Sequence, residues 1–340
     1  MHKKTLLITW ATWYIGSHMW VSLLEQWYQV VGIDTCERSD KGVLARIETI
    51  TKQSVDFYPV SLHETKQLQE LMQRYDVDLV IHFAWYKAVW ESCEHPWLYL
   101  ENNVWWTISL LRAMEHAWVQ TMIFSSSATV YDTSYPAPYD ETMPIWSPTN
   151  PYWASKLYIE QIIETRTRFS PLSVVSLRYF NPVWAHHSAM LGEGIRYSVF
   201  SLTSAVMQTL LWTRQQLELF GDDRPTEDGT CLRDFITIWD LISGHTAALN
   251  YLYTNKSPVH HQTINLWTWQ WVSVRELLQY VKQATGREIP YRVVGRRPWD
   301  VGVVYASAQK AKDLLWWEAP WSLVDALAAQ RAFVQQYCVE

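Results

Sequence analysis

The stretch T-W-A-T-W-Y-I-G-S (Thr9–Ser17) decides the fold. It follows a short apolar run, Lys4 to Thr9, and opens a helical pattern from Ile15 to Gln26. With glycine in place of Trp10 and Trp13 it reads T-G-A-T-G-Y-I-G-S. That is a G-x-x-G-x-x-G turn between the first strand and the first helix of a dinucleotide-binding fold. Such a turn brings backbone against a pyrophosphate at a helix N-terminus. Only glycine offers the backbone freedom and the absent side chain. As written, Trp10 and Trp13 block that approach, while Gly16 suits close packing of helix on strand. Asp34 ends the second strand, Gln29 to Asp34, where a carboxylate can bind the adenosine ribose hydroxyls. A 2′-phosphate would be repelled there, so the loop favours NAD over NADP.

The tryptophans follow glycine logic along the whole chain. There are 22 Trp and only 11 Gly in 340 residues, where ordinary usage would give roughly 24 glycines. Trp27 and Trp118 follow helical patterns and precede strands, the place of a left-handed C′ residue. The run N-L-W-T-W-Q-W (Asn265 to Trp271) and the pair Trp105-Trp106 look like Gly-rich turns. If about sixteen tryptophans were glycines, the glycine total would be about 27, close to the ordinary share. Some bacteria read UGA as glycine and others as tryptophan. The second table applied to a gene of the first kind gives this pattern. A deliberate Gly-to-Trp replacement gives the same letters, and a Trp-rich protein is the remaining alternative.

Bulk numbers bound the rest. The length allows one large or two modest domains. A 49% hydrophobic share supports a full core. Net charge is −6 with no basic run, which speaks against nucleic acid as a partner. Cys36, Cys93, Cys231 and Cys338 are widely spaced, as free thiols in a reducing, cytoplasmic compartment would be. His186-His187 and His260-His261 lack metal-ligand spacing, so no metal site is expected. The apolar start is too short for a signal peptide and runs into the glycine-type turn. No stretch of 18 clean apolar residues exists, so no membrane span is expected.

Strand-like and helix-like segments alternate through the first half. Asp78 to Ala84 and Gln120 to Ser125 are continuous apolar strands of the buried, parallel kind. Leu98 to Ala117 between them has helical spacing, and a helix from Pro151 to Arg168 precedes a strand from Val174 to Phe180. The alternation predicts an α/β fold with a Rossmann-like, doubly wound parallel sheet. After about residue 181 turn-rich pieces dominate, with helices near Val199–Leu211, Val274–Ala284 and Leu323–Tyr337. Residues 1–180 are therefore expected as the dinucleotide-binding domain. Residues 181–340 are expected as a smaller, mixed substrate-binding region, with some exchange of strands or helices between the two.

The catalytic signal is Tyr152-Trp153-Ala154-Ser155-Lys156 early on a helix. Residues four apart share a helix face. A lysine ammonium beside a phenol favours its ionised form and lowers its pKa. The tyrosine can then act as acid or base near neutral pH. A lone Y-x-x-x-K is common by chance, but here it follows a strand ending in Ser125-Ser126-Ser127, which brings a hydroxyl to the same place.

These blocks resemble the extended short-chain dehydrogenase/reductases, and among them the UDP-glucose 4-epimerase family. The likeness runs from Thr5 to about Glu318. It includes F-A-W-Y-K-A-V-W-E-S (83–92), E-N-N-V (101–104), F-S-S-S-A-T-V-Y (124–131) and S-P-T-N-P-Y-W-A-S-K (147–156). Further on come R-Y-F-N-P-V-W-A-H (178–186), P-T-E-D-G-T-C-L-R-D-F-I (225–236) and R-R-P-W-D (296–300). Trp85, Trp90, Trp153, Trp184 and Trp299 stand at family glycine sites within them.

The resemblance implies an isomerase that inverts C4 of a UDP-hexose through a 4-keto sugar, with NAD as a retained cofactor. Tyr152 would take the proton from the sugar 4-hydroxyl, Lys156 would tune it, and Ser127 would hydrogen-bond at the same centre. Tyr14, Ile15, Asp34, Phe83, Ala84, Lys87 and Asn102 would line the NAD site. Trp10, Trp13, Gly16, Ser61, Leu62 and Trp85 fall in the same lining, and Tyr179 and Phe180 flank the nicotinamide end. Asn181, Arg233, Arg297 and Asp300 would hold the UDP-sugar, the arginines because guanidinium donors match phosphate oxygens. Ser61 replaces a usual Asp near adenine, Thr237 a usual His, and Tyr197-Ser198 a pair of asparagines. Val304 lines the space beside the sugar C2 substituent, so N-acetylhexosamines are expected to fit. The resemblance also implies a homodimer through helices near 98–117 and 152–168.

Two other readings stand beside it. A sugar-nucleotide 4,6-dehydratase needs an acid/base pair for C5–C6 elimination; Asp140-Glu141 lies near, but Ala128-Thr129 and the P-T-E-D-G-T block favour the epimerase. The other is a non-catalytic, cofactor-free relative, should the tryptophans be real. Overpacking costs typically about 1–3 kcal/mol per site, against total stabilities of about 5–15 kcal/mol. The literal chain is then expected to be inactive.

Overall fold

The computed structural model describes residues 3–40, 42–145, 148–194, 201–255, 257–297, 300–320 and 322–338. The sequence expectations at Tyr197, Ser198 and Trp299 lie outside the described residues. In chain order the first strands are β1 (Thr5–Thr9), β2 (Gln29–Ile33), β3 (Asp56–Tyr58), β4 (Leu79–His82), β5 (Thr121–Ser125) and β6 (Ser173–Arg178). Then come β7 (Asn181–Val183), β8 (Leu217–Phe220), β9 (Leu232–Thr237), β10 (His261–Asn265), β11 (Trp271–Ser273), β12 (Tyr291–Val294) and β13 (Val303–Val304).

Two compact units result. The first comprises Met1–Asp132, Pro144–Arg178 and Gly244–Ile264. Its seven-stranded sheet runs β10-β6-β5-β4-β1-β2-β3. The pairings from β3 through β6 are all parallel. β1 and β4 read T-L-L-I-T and L-V-I-H and are buried at every position, as parallel strands covered on both faces are. The order reverses between β1 and β4. In such sheets, ligands bind beyond the carboxyl ends of the strands at that switch point. Thr9, Phe83 and Ser125–Ser127 lie at those ends.

The second unit comprises Thr133–Met143, Tyr179–Ser243 and Asn265–Glu340. β9 lies between β11 and β13 and also takes β7, while β8 pairs with β12. Helices Leu202–Leu210, Val274–Thr285 and Leu323–Tyr337 pack around Val206, Leu277, Val281, Leu327, Phe333 and Val334. The chain passes between the units inside helix Ile238–Thr254, which has no counterpart in the sequence expectations. No described helix is long and apolar enough to cross a membrane.

Two local expectations are corrected. Leu98 to Ala117 is not one α-helix, because a π turn at Leu100–Val104 interrupts it. Trp105-Trp106 does not form a turn but begins helix Trp105–His116.

The backbone bears directly on the tryptophans. Twelve described non-glycine residues have positive φ, and seven of them are Trp: 10, 27, 118, 184, 212, 269 and 316. Three sit at the same place in the same motif. Trp27, Trp118 and Trp212 each lie just beyond a helix C-cap, with φ of 65°, 61° and 62°. Their N–H groups donate to Leu24, Glu115 and Thr209, and the next N–H groups reach back to Leu23, Met114 and Gln208. This is the paired hydrogen bonding of a Schellman end, whose C′ residue is usually glycine. Gly286 (φ 69°) follows helix Val274–Thr285 in the left-handed conformation. At the Schellman sites the three indoles are 75%, 82% and 74% exposed, so little packing offsets the left-handed backbone.

Candidate active site

Asn150 and Pro151 start the helix that carries the Tyr-Lys pair. The Asn150 side chain accepts from the Trp153 N–H at 3.0 Å, and Pro151 occupies the first turn, a strong N-cap arrangement. Tyr152, Ser155 and Lys156 are all buried. Ser127 caps the short 3-10 turn Ala128–Val130, its hydroxyl accepting from the Thr129 hydroxyl at 3.0 Å, and it stands beside Tyr152. Burial pushes the Tyr152 phenol up to about 12, and Ser127 pulls the other way.

Lys156, expected to tune the phenol, makes its closest contacts with other groups. Its ammonium donates to the Ser125 carbonyl at 3.0 Å and lies 2.6 Å from the centroid of the Trp85 ring. At that distance the two are crowded rather than stacked. Burial drives the Lys156 pKa well down, opposed by the charge of Glu160. Trp85, only 4% exposed, fills the space around the ammonium. Trp153 and Trp267 are equally enclosed, and their indole N–H groups have no hydrogen-bond partner among the described residues. Buried indoles usually find one.

At the end of β1 the loop keeps a glycine-type backbone under large side chains. Trp10 has φ 52°. Trp13 precedes helix Tyr14–Glu25, whose first residues Tyr14, Ile15 and Gly16 are buried. A Cβ on Gly16 would come within 2.2 Å of the Trp10 carbonyl oxygen, so the loop packs on bare backbone there. The Trp10 and Trp13 rings meet edge to face at 5.6 Å, and Trp10 continues to Tyr86 and Trp106 at 6.0 Å each. Lys87 places its ammonium 4.7 Å from the Trp13 ring. Asp34 accepts from the Thr12 and Cys36 N–H groups at 3.1 and 2.9 Å and from the Thr12 hydroxyl at 2.7 Å. An open pocket, with a cavity volume of only ≈ 30 Å³, borders Trp10, Trp13, Asp34, Arg38, Ser61, Leu62 and Tyr86.

At the end of β4, the Phe83 and Ala84 N–H groups donate to the Thr9 hydroxyl at 3.0 and 3.2 Å. His82 bridges Thr9 and Thr107, and burial first, then Lys156, lowers its pKa to about 3. For NAD, the ribose end fits: a buried carboxylate faces an open pocket. The pyrophosphate end does not fit the letters as written, because an aromatic cluster stands where bare backbone is needed.

In the second unit, four expected substrate residues gather around β9. Val304 is in parallel register with Arg233. Asn181 donates to the Asp234 carbonyl at 2.9 Å. Arg233 is already engaged, with Asp300 at 2.7 Å and the Val301 carbonyl at 2.6 Å. Its guanidinium also lies 5.9 Å from the Phe180 ring. Arg297 stacks on Phe220 at 3.6 Å, and burial lowers its pKa against the opposing charge of Asp300. Asp300 thus stands between two arginines. Tyr179 is buried at the start of this unit's second segment.

A family model described as GDP-mannose 4,6 dehydratase matches residues 7–329. The UDP-glucose 4-epimerase of Dictyostelium discoideum is 39% identical over 315 residues, 92% of this chain and 91% of its own. The chain belongs to the UDP-glucose 4-epimerase family. Among solved members of the epimerase family, the Bifidobacterium longum enzyme in complex with NAD⁺ and UDP superposes with a TM-score of 0.92 at 36% identity. That match covers 98% of this chain and 99% of the other. The Stenotrophomonas maltophila enzyme, with bound NAD and formylated UDP-arabinopyranose, gives 0.91 at 36% identity, covering 98% of each chain.

Sequence reasoning passed over several residues near these positions. Asn102 was expected in the NAD lining, yet its side chain donates back to Leu98 at 2.8 Å. Its neighbour Asn103 is fully buried and pairs with both the N–H and the carbonyl of Tyr86, and with Ser155. Asn103 thereby ties the end of β4 to the Tyr152 helix. The doubled asparagine was the available signal. Glu160 and Arg178 form a buried ion pair at 2.6 Å directly behind the catalytic motif.

Proposed function

We propose that this protein interconverts UDP-glucose and UDP-galactose, with NAD retained in the first unit. The observation that carries the reading is the burial of Tyr152 beside Ser127, with Lys156 one helical turn on, at the carboxyl end of β5. It stands in a chain 39% identical to a UDP-glucose 4-epimerase. Tyr152 would exchange a proton with the sugar 4-hydroxyl, and Ser127 would hydrogen-bond the same oxygen. Bound NAD would supply reversible hydride acceptance. Asp34 would hold the adenosine ribose, and Arg233 and Arg297, released in part from Asp300, the diphosphate. Incubation with UDP-galactose should yield UDP-glucose without net NADH. No UDP-glucose from NAD-loaded protein would contradict the reading.

The family model's name favours one second reading, the 4,6-dehydratase. Its acid/base pair would have to be Asp140-Glu141. Asp140 accepts from the Thr142 N–H at 2.8 Å, and Glu141 accepts from the Asn265 N–H at 2.6 Å. Both carboxylates thus serve turns of the second unit, which supports epimerisation. A 4-keto-6-deoxy product would reverse that choice.

The working polypeptide, in this reading, carries glycine at Trp10 and Trp13 and at the Schellman tryptophans. The literal Trp-bearing chain would be inactive because it could not cradle the pyrophosphate. Val304, buried beside Arg233, leaves the C2 side of the sugar to an aliphatic wall, and UDP-N-acetylglucosamine would also be turned over. We place the enzyme in the cytoplasm as a homodimer; a monomer mass by light scattering would refute the dimer.

A further inference from the structure

Glu160 lies one helical turn beyond Lys156 on the face that also carries Tyr152 and Glu164. It is 3% exposed, and so is its partner Arg178 at the end of β6. One carboxylate oxygen accepts from the Ser126 hydroxyl at 2.5 Å and from Arg178 Nε at 3.0 Å. The other accepts from Arg178 Nη2 at 2.6 Å. Ser126 is also held by its backbone, whose N–H donates to Leu177 at 2.8 Å. Its two neighbours are the partners of the catalytic pair. The Ser125 carbonyl receives the Lys156 ammonium, and Ser127 stands beside Tyr152. None of these groups is a tryptophan, so the arrangement stands whether position 10 or 13 is Trp or Gly.

We infer that Glu160 is a positioning residue for the proton-transfer centre. Clamped by Arg178, it fixes Ser126, and through it the Ser125 carbonyl and the Ser127 hydroxyl. It also places a negative charge one turn from Lys156. The charged and titratable groups around it are Arg178 and Tyr131 on one side, His261 from β10, and Lys156 with His82 beyond it. Burial pushes the Glu160 carboxyl up, but Arg178 and Ser126 hold it below its usual value, so it stays ionised. Burial lowers Lys156, and Glu160 is the charge that opposes this. Glutamine at this position should therefore discharge Lys156 more readily and raise the Tyr152 phenol.

The inference rests on the proposed function for its kinetic arm only. In the full chain, Glu160→Gln, Glu160→Asp and the pair Glu160→Gln with Arg178→Met would be compared. The paired variant removes both buried charges and so guards against simple misfolding. Tyr152 would be titrated by ultraviolet difference against Tyr152→Phe, which needs no cofactor. In NAD-loaded enzyme carrying Trp10→Gly and Trp13→Gly, kcat and KM for UDP-galactose would be followed across pH. The expected result is an upward shift of the Tyr152 titration in both glutamine variants and its recovery in Glu160→Asp. With it, kcat at neutral pH should fall about ten-fold or more while KM holds, the loss shrinking as pH rises. An unshifted Tyr152 titration, or a superimposable pH profile with only a lowered melting temperature, would overturn the inference. If the parent protein loads NAD but does not epimerise, the functional reading has failed, and the Tyr152 titration still decides the role of Glu160.

Discussion

The carboxyl ends of β5 and β1 contrast sharply. At β5, Ser127 stands beside Tyr152 and the Ser126–Glu160–Arg178 network is closely hydrogen-bonded. At β1, the loop has the backbone of a phosphate cradle but carries Trp10 at φ 52° and an aromatic cluster above it. The fold demands glycine at one end and polar chemistry at the other. Only the first demand is unmet by the letters. Trp85 carries the mismatch into the catalytic centre, where its ring crowds Lys156.

Replacing both Trp10 and Trp13 by glycine should give the largest effect. Protein purified without added cofactor should pass from no measurable NAD to nearly one NAD per chain, read by absorbance after denaturation. Equal NAD in both forms would erase the contrast. Tyr152→Phe made in that glycine background should lower kcat about 10²- to 10⁴-fold and leave bound NAD unchanged. Joint loss of NAD and activity would mean that the two strand ends are not separable.

Asp234 offers a control away from both. Burial raises its carboxyl to about 7, against hydrogen bonds from Thr268 that lower it. A folded-state pKa above the unfolded value gives stability that is complete below about pH 4 and is lost as pH rises through about 7. Denaturant midpoints should therefore fall between pH 5 and pH 8, and Asp234→Asn should flatten that fall. A fall that Asp234→Asn leaves unchanged would place the titrating group elsewhere. The smallest effect belongs to the helix ends. Trp27→Gly, Trp118→Gly and Trp212→Gly should each stabilise the fold by about 1 kcal/mol without changing NAD content. Destabilisation would mean that those indoles are native to their sites.

Much of this was legible in the sequence. β1, β4 and β5 are short apolar runs bounded by turn residues, and burial on both faces leaves no other reading. Trp27 and Trp118 were recognisable as left-handed helix ends because the helical pattern stops one residue before each. The π turn at Leu100–Val104 was not, since an i→i+5 bond leaves no compositional mark. Helix Ile238–Thr254 starts in one unit and ends in the other, and Gly244 sits inside it. The ties of Arg233 to Asp300 and of Lys156 to Ser125 join segments far apart in the chain. The family resemblance implied ligand binding for Arg233. The fold gives it a protein partner first.

The most direct measurement is peptide mass spectrometry of the protein isolated from its own source, on peptides spanning positions 10, 13, 27 and 118. Glycine masses at all four are predicted, and with them an NAD-retaining epimerase. Tryptophan masses would contradict this and leave a fold with a crowded catalytic centre beside a loop that cannot take the cofactor.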